Sequence, residues 1–250
     1  GHFQGQVEFR NVSFRYPGAD EDVLHAINFV AKPGATTAFI GSTGSGKSTV
    51  VNLIPRFFDV TEGQILIDGI DIREVSQHDL RERIGYVPQK GVLFSGTIAS
   101  NLRLADEAAA EADMQQAVMI AQASDFVADK PEGFDSEIAQ GGANVSGGQK
   151  QRLSIARALV KQAPIYIFDD SFSALDFRTE LNLRKALKQH TAESTIRVVT
   201  QRVASVMDAE QIVVLDQGRV VGIGTHEELM KTNQTYQEIA LSQLSLEELS

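Results

Sequence analysis

Gly41-Ser42-Thr43-Gly44-Ser45-Gly46-Lys47-Ser48 sets glycine, lysine and a hydroxyl at the spacing G-x-x-x-x-G-K-[ST]. Each residue type has a task in holding a chain of phosphates. Glycine lets backbone N–H groups turn inward around anionic oxygens. A helix starting at this point adds its positive dipole end. Lys47 supplies a point charge for the outer phosphates, Ser48 offers a hydroxyl to a magnesium ion, and Thr49 continues the binding run. The ligand that fits this chemistry is ATP with Mg2+. A second segment, Ile165-Tyr166-Ile167-Phe168-Asp169-Asp170, is an apolar run ending in two carboxylates. Strand ends in parallel sheets open into the ligand crevice, which places Asp169 to hold magnesium directly or through water. Alone, such an aspartate serves equally well as a cap for the next turn; the phosphate loop favours the metal role.

These side chains need a parallel sheet to carry them. Thr36 to Ile40 is a short β-rich run leading into the loop, and helical spacing follows from Gly46 to about Arg56. From Ile165 onward the pattern alternates: strand over 165–168, helix over 179–190, strands over 196–200 and 212–215, helix over 227–243. At the N-terminal end, Val7 and Phe9, then Val12, Phe14 and Tyr16, form two alternating sets, which predicts two stretches of strand or a bulge. Pro17-Gly18 marks a turn, and Val23 to Val30, Gln64 to Ile67 and Ile84 to Val87 read as further strands. Near Lys90 strand signals give way to helical ones over 97–102, 110–123 and 147–160.

The chain has 250 residues, 42% of them apolar, enough to bury one sizeable core. A formal net charge of -10 argues against the nucleic-acid backbone as main partner, since that partner needs a basic face. With no cysteine, no disulfide framework is available. No window approaches 18 uninterrupted apolar residues, the signal of a membrane span. Gly1 to Gly5 has no basic head followed by an apolar run, so it does not read as a secretory signal, and it is set aside from the fold expectation.

Asn144-Val145-Ser146-Gly147-Gly148-Gln149 opens a helix carrying Lys150, Arg152 and Arg157. It resembles the signature motif of ATP-binding cassette (ABC) ATPases, L-S-G-G-Q, with Val145 in place of leucine. Phosphate loop, signature and acidic strand end, in this order, resemble that family over nearly the whole chain. A serine and two glycines at a helix start make a second anion site, and the resemblance implies a head-to-tail pair in which each signature closes over the partner's phosphate loop. It implies an α/β fold: a P-loop NTPase core with a parallel sheet, an N-terminal antiparallel β-subdomain and an inserted α-helical subdomain. The expected division of this single domain, 1–250, is a core of 1–89 and 161–250 and a helical insertion of 90–160. Tyr16 matches the aromatic that stacks on adenine. Gln89, after Gly85-Tyr86-Val87-Pro88, matches the glutamine that reaches magnesium and links to the helical insertion. Ser173-Ala174-Leu175-Asp176 matches the loop crossing the cassette interface. Gly96-Thr97-Ile98 with Asn101, and Ser136-Glu137-Ile138-Ala139-Gln140, resemble two exporter segments. Together they favour the cassette of an exporter, joined to membrane helices through the Gln89 region and the helical insertion, at the cytoplasmic face of the membrane.

Two positions depart from the family. After the strand-end aspartate it normally has glutamate, which polarises the attacking water; here stands Asp170, one methylene shorter. Catalysis by a base depends on geometry first, and small misplacements cost on the order of 10²-fold in rate. In Val199-Thr200-Gln201-Arg202 the family's histidine is replaced by Gln201, which donates a hydrogen bond but cannot become cationic. Both groups acting on one water and one phosphate are altered while the binding elements stand. That combination resembles the degenerate half of a heterodimeric exporter: an ATP hydrolase coupled to transport, of low activity in isolation. Its partner is a second cassette with glutamate and histidine at these positions. The competing readings are a soluble ABC-type ATPase acting on ribosomes or DNA, and a purely regulatory nucleotide-binding module.

Overall fold

The structure, a computed structural model, describes residues 3–191, 195–199 and 202–248, with backbone alone for 195–199 and 244–248. It divides into two compact units, residues 1–84 with 193–250 and residues 85–192.

The first unit opens with β1 (Val7–Phe14), β2 (Leu24–Ala31), β3 (Thr36–Ile40), the short helix α1 (Lys47–Asn52), β4 (Glu62–Ile67), β5 (Ile70–Asp71) and α2 (Gln77–Glu82). The second unit then contributes β6 (Ile84–Val87, starting at the boundary), β7 (Gly96–Thr97), α3 (Ile98–Leu102), α4 (Glu111–Ile120), α5 (Ser124–Ala128), β8 (Glu137–Ile138), α6 (Gly147–Val160), β9 (Ile165–Asp169) and α7 (Phe177–His190). The chain returns to the first unit for β10 (Thr195–Val199), β11 (Gln211–Asp216), β12 (Arg219–Gly224), α8 (His226–Thr232) and α9 (Gln234–Glu248).

In the first unit an antiparallel sheet runs β2-β1-β4-β5. The expected break in β1 is a bulge: register shifts fall between Phe9 and Val12 on the β2 side and between Arg10 and Ser13 on the β4 side, with Asn11 at φ 50°. The bulge resets the alternation, so Val7, Phe9, Val12 and Phe14 are all buried. A second sheet contains β12-β11-β3-β10 in that order. β3 lies parallel to β10 and β11, while β12 pairs antiparallel with β11, so the sheet is mixed at this edge. Ala38, Ile40, Ile212 and Val214 from these strands pack with Leu229, Tyr236 and Ala240 from α8 and α9. Phe29 of β2 meets Phe39 of β3 edge-on at 5.3 Å, fastening one sheet to the other. The N-terminal segment set aside above is tied down from its third residue. The Asp68 carboxylate accepts the N–H groups of Gln4, Gly5 and Gln6, and the Arg83 guanidinium lies 4.6 Å from the Phe3 ring centroid.

In the second unit β6 neighbours β9, whose five residues are all buried. α3 and α4 pack on α6. The span from Lys90 to Val160 is mainly helical as expected, but it also holds a two-residue ladder, Gly96 opposite Ile138 and Thr97 opposite Glu137.

Candidate functional site

Each unit holds some of the residues singled out from the sequence. In the first, β3 delivers the chain into the glycine loop at a place with no room for a side chain: a Cβ on Gly41 would stand 2.5 Å from Leu215 O and 2.5 Å from Ser45 Oγ. The loop ends at Gly46, whose φ of 100° and ψ of 3° give α1 its left-handed start. Lys47 is 7% exposed, and its ammonium donates to Gly41 O at 3.0 Å and Ser42 O at 3.2 Å. The buried Ser45 hydroxyl has no hydrogen-bond partner among the described residues. A cation held inside the loop and a buried hydroxyl left to be satisfied fit a polyanion, because burying a hydroxyl without a partner is unfavourable. Ser48 is exposed beside them. Tyr16, the residue expected to stack on adenine, packs beside α1. Its hydroxyl is 2.9 Å from Thr49 Oγ1 in α1, and its ring meets Phe14 and Phe58 edge-on at 4.8 and 5.2 Å.

In the second unit the buried run of β9 ends at Asp169, 8% exposed. Tyr86 of β6 donates its hydroxyl to Asp169 Oδ2 at 3.3 Å. Burial pushes the Tyr86 phenol far up, and the Asp169 charge adds to it, so the proton stays on the tyrosine. Asp170 follows at φ 50°, and Gln89 Nε2 donates to its Oδ2 at 3.3 Å. Two residues singled out from separate motifs are thus in contact. Ser146 caps α6 in a reciprocal box: its Oγ accepts from Gln149 N at 3.1 Å, and Gln149 Oε1 accepts from Ser146 N at 3.0 Å. Gly147 at the helix start has open space around its missing side chain.

Residues 24–173 match the family described as ABC transporter. The chain belongs to that family. It is 49% identical over 242 residues to an uncharacterized ABC transporter ATP-binding protein of Mycobacterium tuberculosis (strain ATCC 25618 / H37Rv), covering 96% of this chain and 41% of that protein. It is 45% identical over 234 residues to an ATP-dependent lipid A-core flippase of Pseudomonas putida (strain KT2440), covering 93% of this chain and 39% of the flippase. A solved bacterial Atm1-family ABC exporter with ATP bound superposes with a TM-score of 0.90 at 40% identity, over 94% of this chain and 41% of that one. The chain therefore spans about two-fifths of the length of these relatives and is an ATP-binding domain of the ABC exporter family.

The remaining ABC motifs in the second unit lock onto one another. The two exporter-like segments are the strands of the β7/β8 ladder. Asn101, 3% exposed, fixes the first through bonds with Phe94 and Thr97. Asn144, two residues before Ser146, fixes the second by accepting from Ala139 N and donating to Glu137 O, both at 2.9 Å. Asp176 caps α7, and the Thr179 backbone N–H, followed by the Thr179 hydroxyl, holds its carboxyl below the usual range. Gln201 and Thr200 lie outside the described residues. Among the described residues no cluster of three or more His, Cys, Asp or Glu is placed to hold a metal. Among them, too, no helix is long and apolar enough to cross a membrane.

Two contributors escape a motif search. Gly218, in the turn between β11 and β12, donates its N–H to Ser45 O at 2.9 Å and accepts from His25 N at 2.8 Å, bracing the phosphate loop from outside. The only sequence cue is Gln217-Gly218 between two apolar runs, which signals a turn but not what it touches. The other is Gln151, buried in α6.

Proposed function

We propose that this chain is the ATP-binding motor domain of a membrane exporter, working at the cytoplasmic face. In this reading it holds Mg-ATP at a weakly hydrolytic site of its own and lends its signature to the competent site of a different partner cassette. The observation carrying the finer part is Asp170: a carboxylate one methylene short, in left-handed backbone, with Gln89 on its Oδ2. Gly41 to Thr49 wrap the phosphates, Lys47 takes the outer ones, and Tyr16 stacks on adenine. The family resemblance gives Ser48, Asp169 and Gln89 to the magnesium ion, which when bound would neutralise charge on the phosphate oxygens. Asp170 reaches the position of the attacking water poorly, and Gln201 cannot add a positive charge at the γ-phosphate. Ser146, Gly147, Gly148 and Gln149 retain a helix start with free space, suited to a phosphate brought by the partner. Closure of the pair is then passed to membrane helices through the Gln89 region and the helices of the second unit.

The test is ATP turnover by this chain alone, by its full transporter, and by both after Asp170→Glu/Gln201→His. The reading expects little turnover by the parent chain alone, turnover in the transporter that depends on Gly147 and Gly148, and a gain in the doubly substituted site. Brisk hydrolysis by the unaltered chain alone refutes the degenerate site. Asp170 and Gln201 also favour a second reading, a regulatory module without a motor role; it predicts that substituting Gly148 leaves transporter turnover unchanged.

A further inference from the structure

Gln151 is 4% exposed and lies on α6, two residues beyond the capping box of the signature. Its amide is used at both ends. Oε1 accepts the Ala174 N–H at 2.8 Å, and Nε2 donates to Gln89 O at 3.2 Å and reaches Ser173 Oγ at 3.4 Å. One side chain thus joins the backbone of the metal-reaching glutamine to the loop expected to face the partner cassette. On the strand side the same two stretches are joined again, where the fully buried Ser171 hydroxyl donates to Val87 O at 2.7 Å. Ala174 also lies near the signature, its carbonyl oxygen 3.4 Å from where a Cβ of Gly148 would stand. A buried amide has no water to turn to, so pulling either end away leaves a polar group unsatisfied. The bonds are therefore kept by moving together.

We infer that Gln151 is a positioning residue that makes Gln89 and Ser173–Asp176 move as one, so that a change at the metal-reaching glutamine is delivered to the surface presented to the partner. The inference rests on the roles given above to Gln89 and to Ser173–Asp176. Gln151 belongs to neither motif, and in the sequence it is one more polar residue between Lys150 and Arg152.

The experiment is amide hydrogen exchange on the whole chain, by NMR, with Mg-ATP and with ATP plus EDTA, for the parent, Gln151→Met and Gln151→Glu. In the parent, Mg-ATP is expected to alter exchange in 88–91 and 172–176 together. In Gln151→Met the first response stays, the second is lost, and the Ala174 N–H exchanges about tenfold faster, the effect of one part-buried hydrogen bond. Gln151→Glu keeps an acceptor for Ala174 and loses the donor to Gln89. Protection at Ala174 then survives while its response to nucleotide disappears, which a merely structural residue would not produce. If Gln151→Met does not fold, the glutamate variant decides alone. Joint responses persisting in a folded variant overturn the inference while leaving ATP binding intact. A parent with no nucleotide response even at Gly41 to Ser48 overturns both readings.

Discussion

Substituting Gly46 by alanine tests whether the phosphate loop is built by local backbone geometry. At φ 100° and ψ 3° the residue lies beyond the left-handed region open to other residues, and forcing alanine there costs about 1–3 kcal/mol. The new Cβ would also stand 2.7 Å from Leu24 Cδ2, and Leu24 is fully buried, so its side chain must repack. Overpacking of that kind adds about 1–3 kcal/mol. Gly44→Ala is the control: its φ is 80°, but nothing lies within 4 Å of the added carbon. Only strain remains there, about 1–2 kcal/mol. For a chain this long, each kcal/mol moves the melting temperature by about 2–4 °C. Gly46→Ala, at about 2–6 kcal/mol in all, should then melt about 4–24 °C below the parent and Gly44→Ala about 2–8 °C below it. Thermal melts followed by circular dichroism, with and without saturating Mg-ATP, give both readouts. Nucleotide at a hundred times its Kd stabilises by about 2.7 kcal/mol, and Gly46→Ala should lose most of that rise because the loop N–H groups no longer converge. A Gly46→Ala chain melting within 2 °C of the Gly44→Ala chain, with the nucleotide effect intact, would show that the Leu24 contact and the Gly46 backbone do not shape the loop.

Lys47→Met keeps the buried aliphatic stem and removes the charge. Its melting point should stay near the parent's while affinity for Mg-ATP, read by isothermal titration, falls about 10- to 100-fold. Tyr16→Phe loses only the bond with Thr49 and should leave nucleotide affinity within about twofold; Tyr16→Ala removes the stacking face and should weaken it by about 1–3 kcal/mol in the same titration. The fully buried Tyr236 phenol, 2.6 Å from His226 Nδ1, is pushed up to about 12 by burial. Unfolded, it ionises near 10, so the folded chain keeps this proton longer. Its contribution is complete below that pH, drains away as pH rises toward about 12, and amounts to at most about 3 kcal/mol. Denaturant melts of parent and Tyr236→Phe, subtracted across this window, should show the decline only in the parent.

What could be read from the sequence was what is local. The phosphate loop, the acid-ended strand β9 and the start of α6 each place their chemistry within a few consecutive residues, and β3 and α6 lie over the expected spans. The misses have identifiable causes. The apolar positions from Glu227 to Gln243 run on as if one helix, but Asn233 ends α8, accepts from Tyr236 N at 2.9 Å and donates to Val221 O, turning the chain into a second helix. β12 gives no strand signal because Gly222 and Gly224 interrupt its alternation. The ladder of β7 and β8 is two residues long, too short for any period to register. In the candidate site, Gly218 bracing Ser45 and Gln151 joining Gln89 to Ala174 act largely through backbone atoms of residues far apart in the chain. No spacing rule carries such contacts.

Asp170 bears most directly on function, and its surroundings predict how a restored site should respond. Aspartate tolerates the left-handed backbone at φ 50° better than most residues, since its short polar side chain bonds locally. Here the Gln89 amide takes up one of its oxygens at 3.3 Å. Glutamate would carry the carboxylate about 1.5 Å farther, one C–C bond length, enough to matter when a water must be oriented. In the proposed reading reach alone does not complete the chemistry, because glutamine at position 201 has no cation to offer a γ-phosphate. The two positions serve the same step, so their effects should multiply beyond independence, as for groups that act as a unit. Each single change, Asp170→Glu or Gln201→His, should raise turnover at this chain's own site by less than about tenfold, and the pair by about 100-fold or more. The site is isolated by measuring single turnover in a transporter whose partner loop has lost its lysine. If Asp170→Glu alone recovers the full rate, Gln201 is incidental. If the pair recovers nothing while Mg-ATP still binds, the block lies elsewhere, and the short carboxylate is not what makes the site slow.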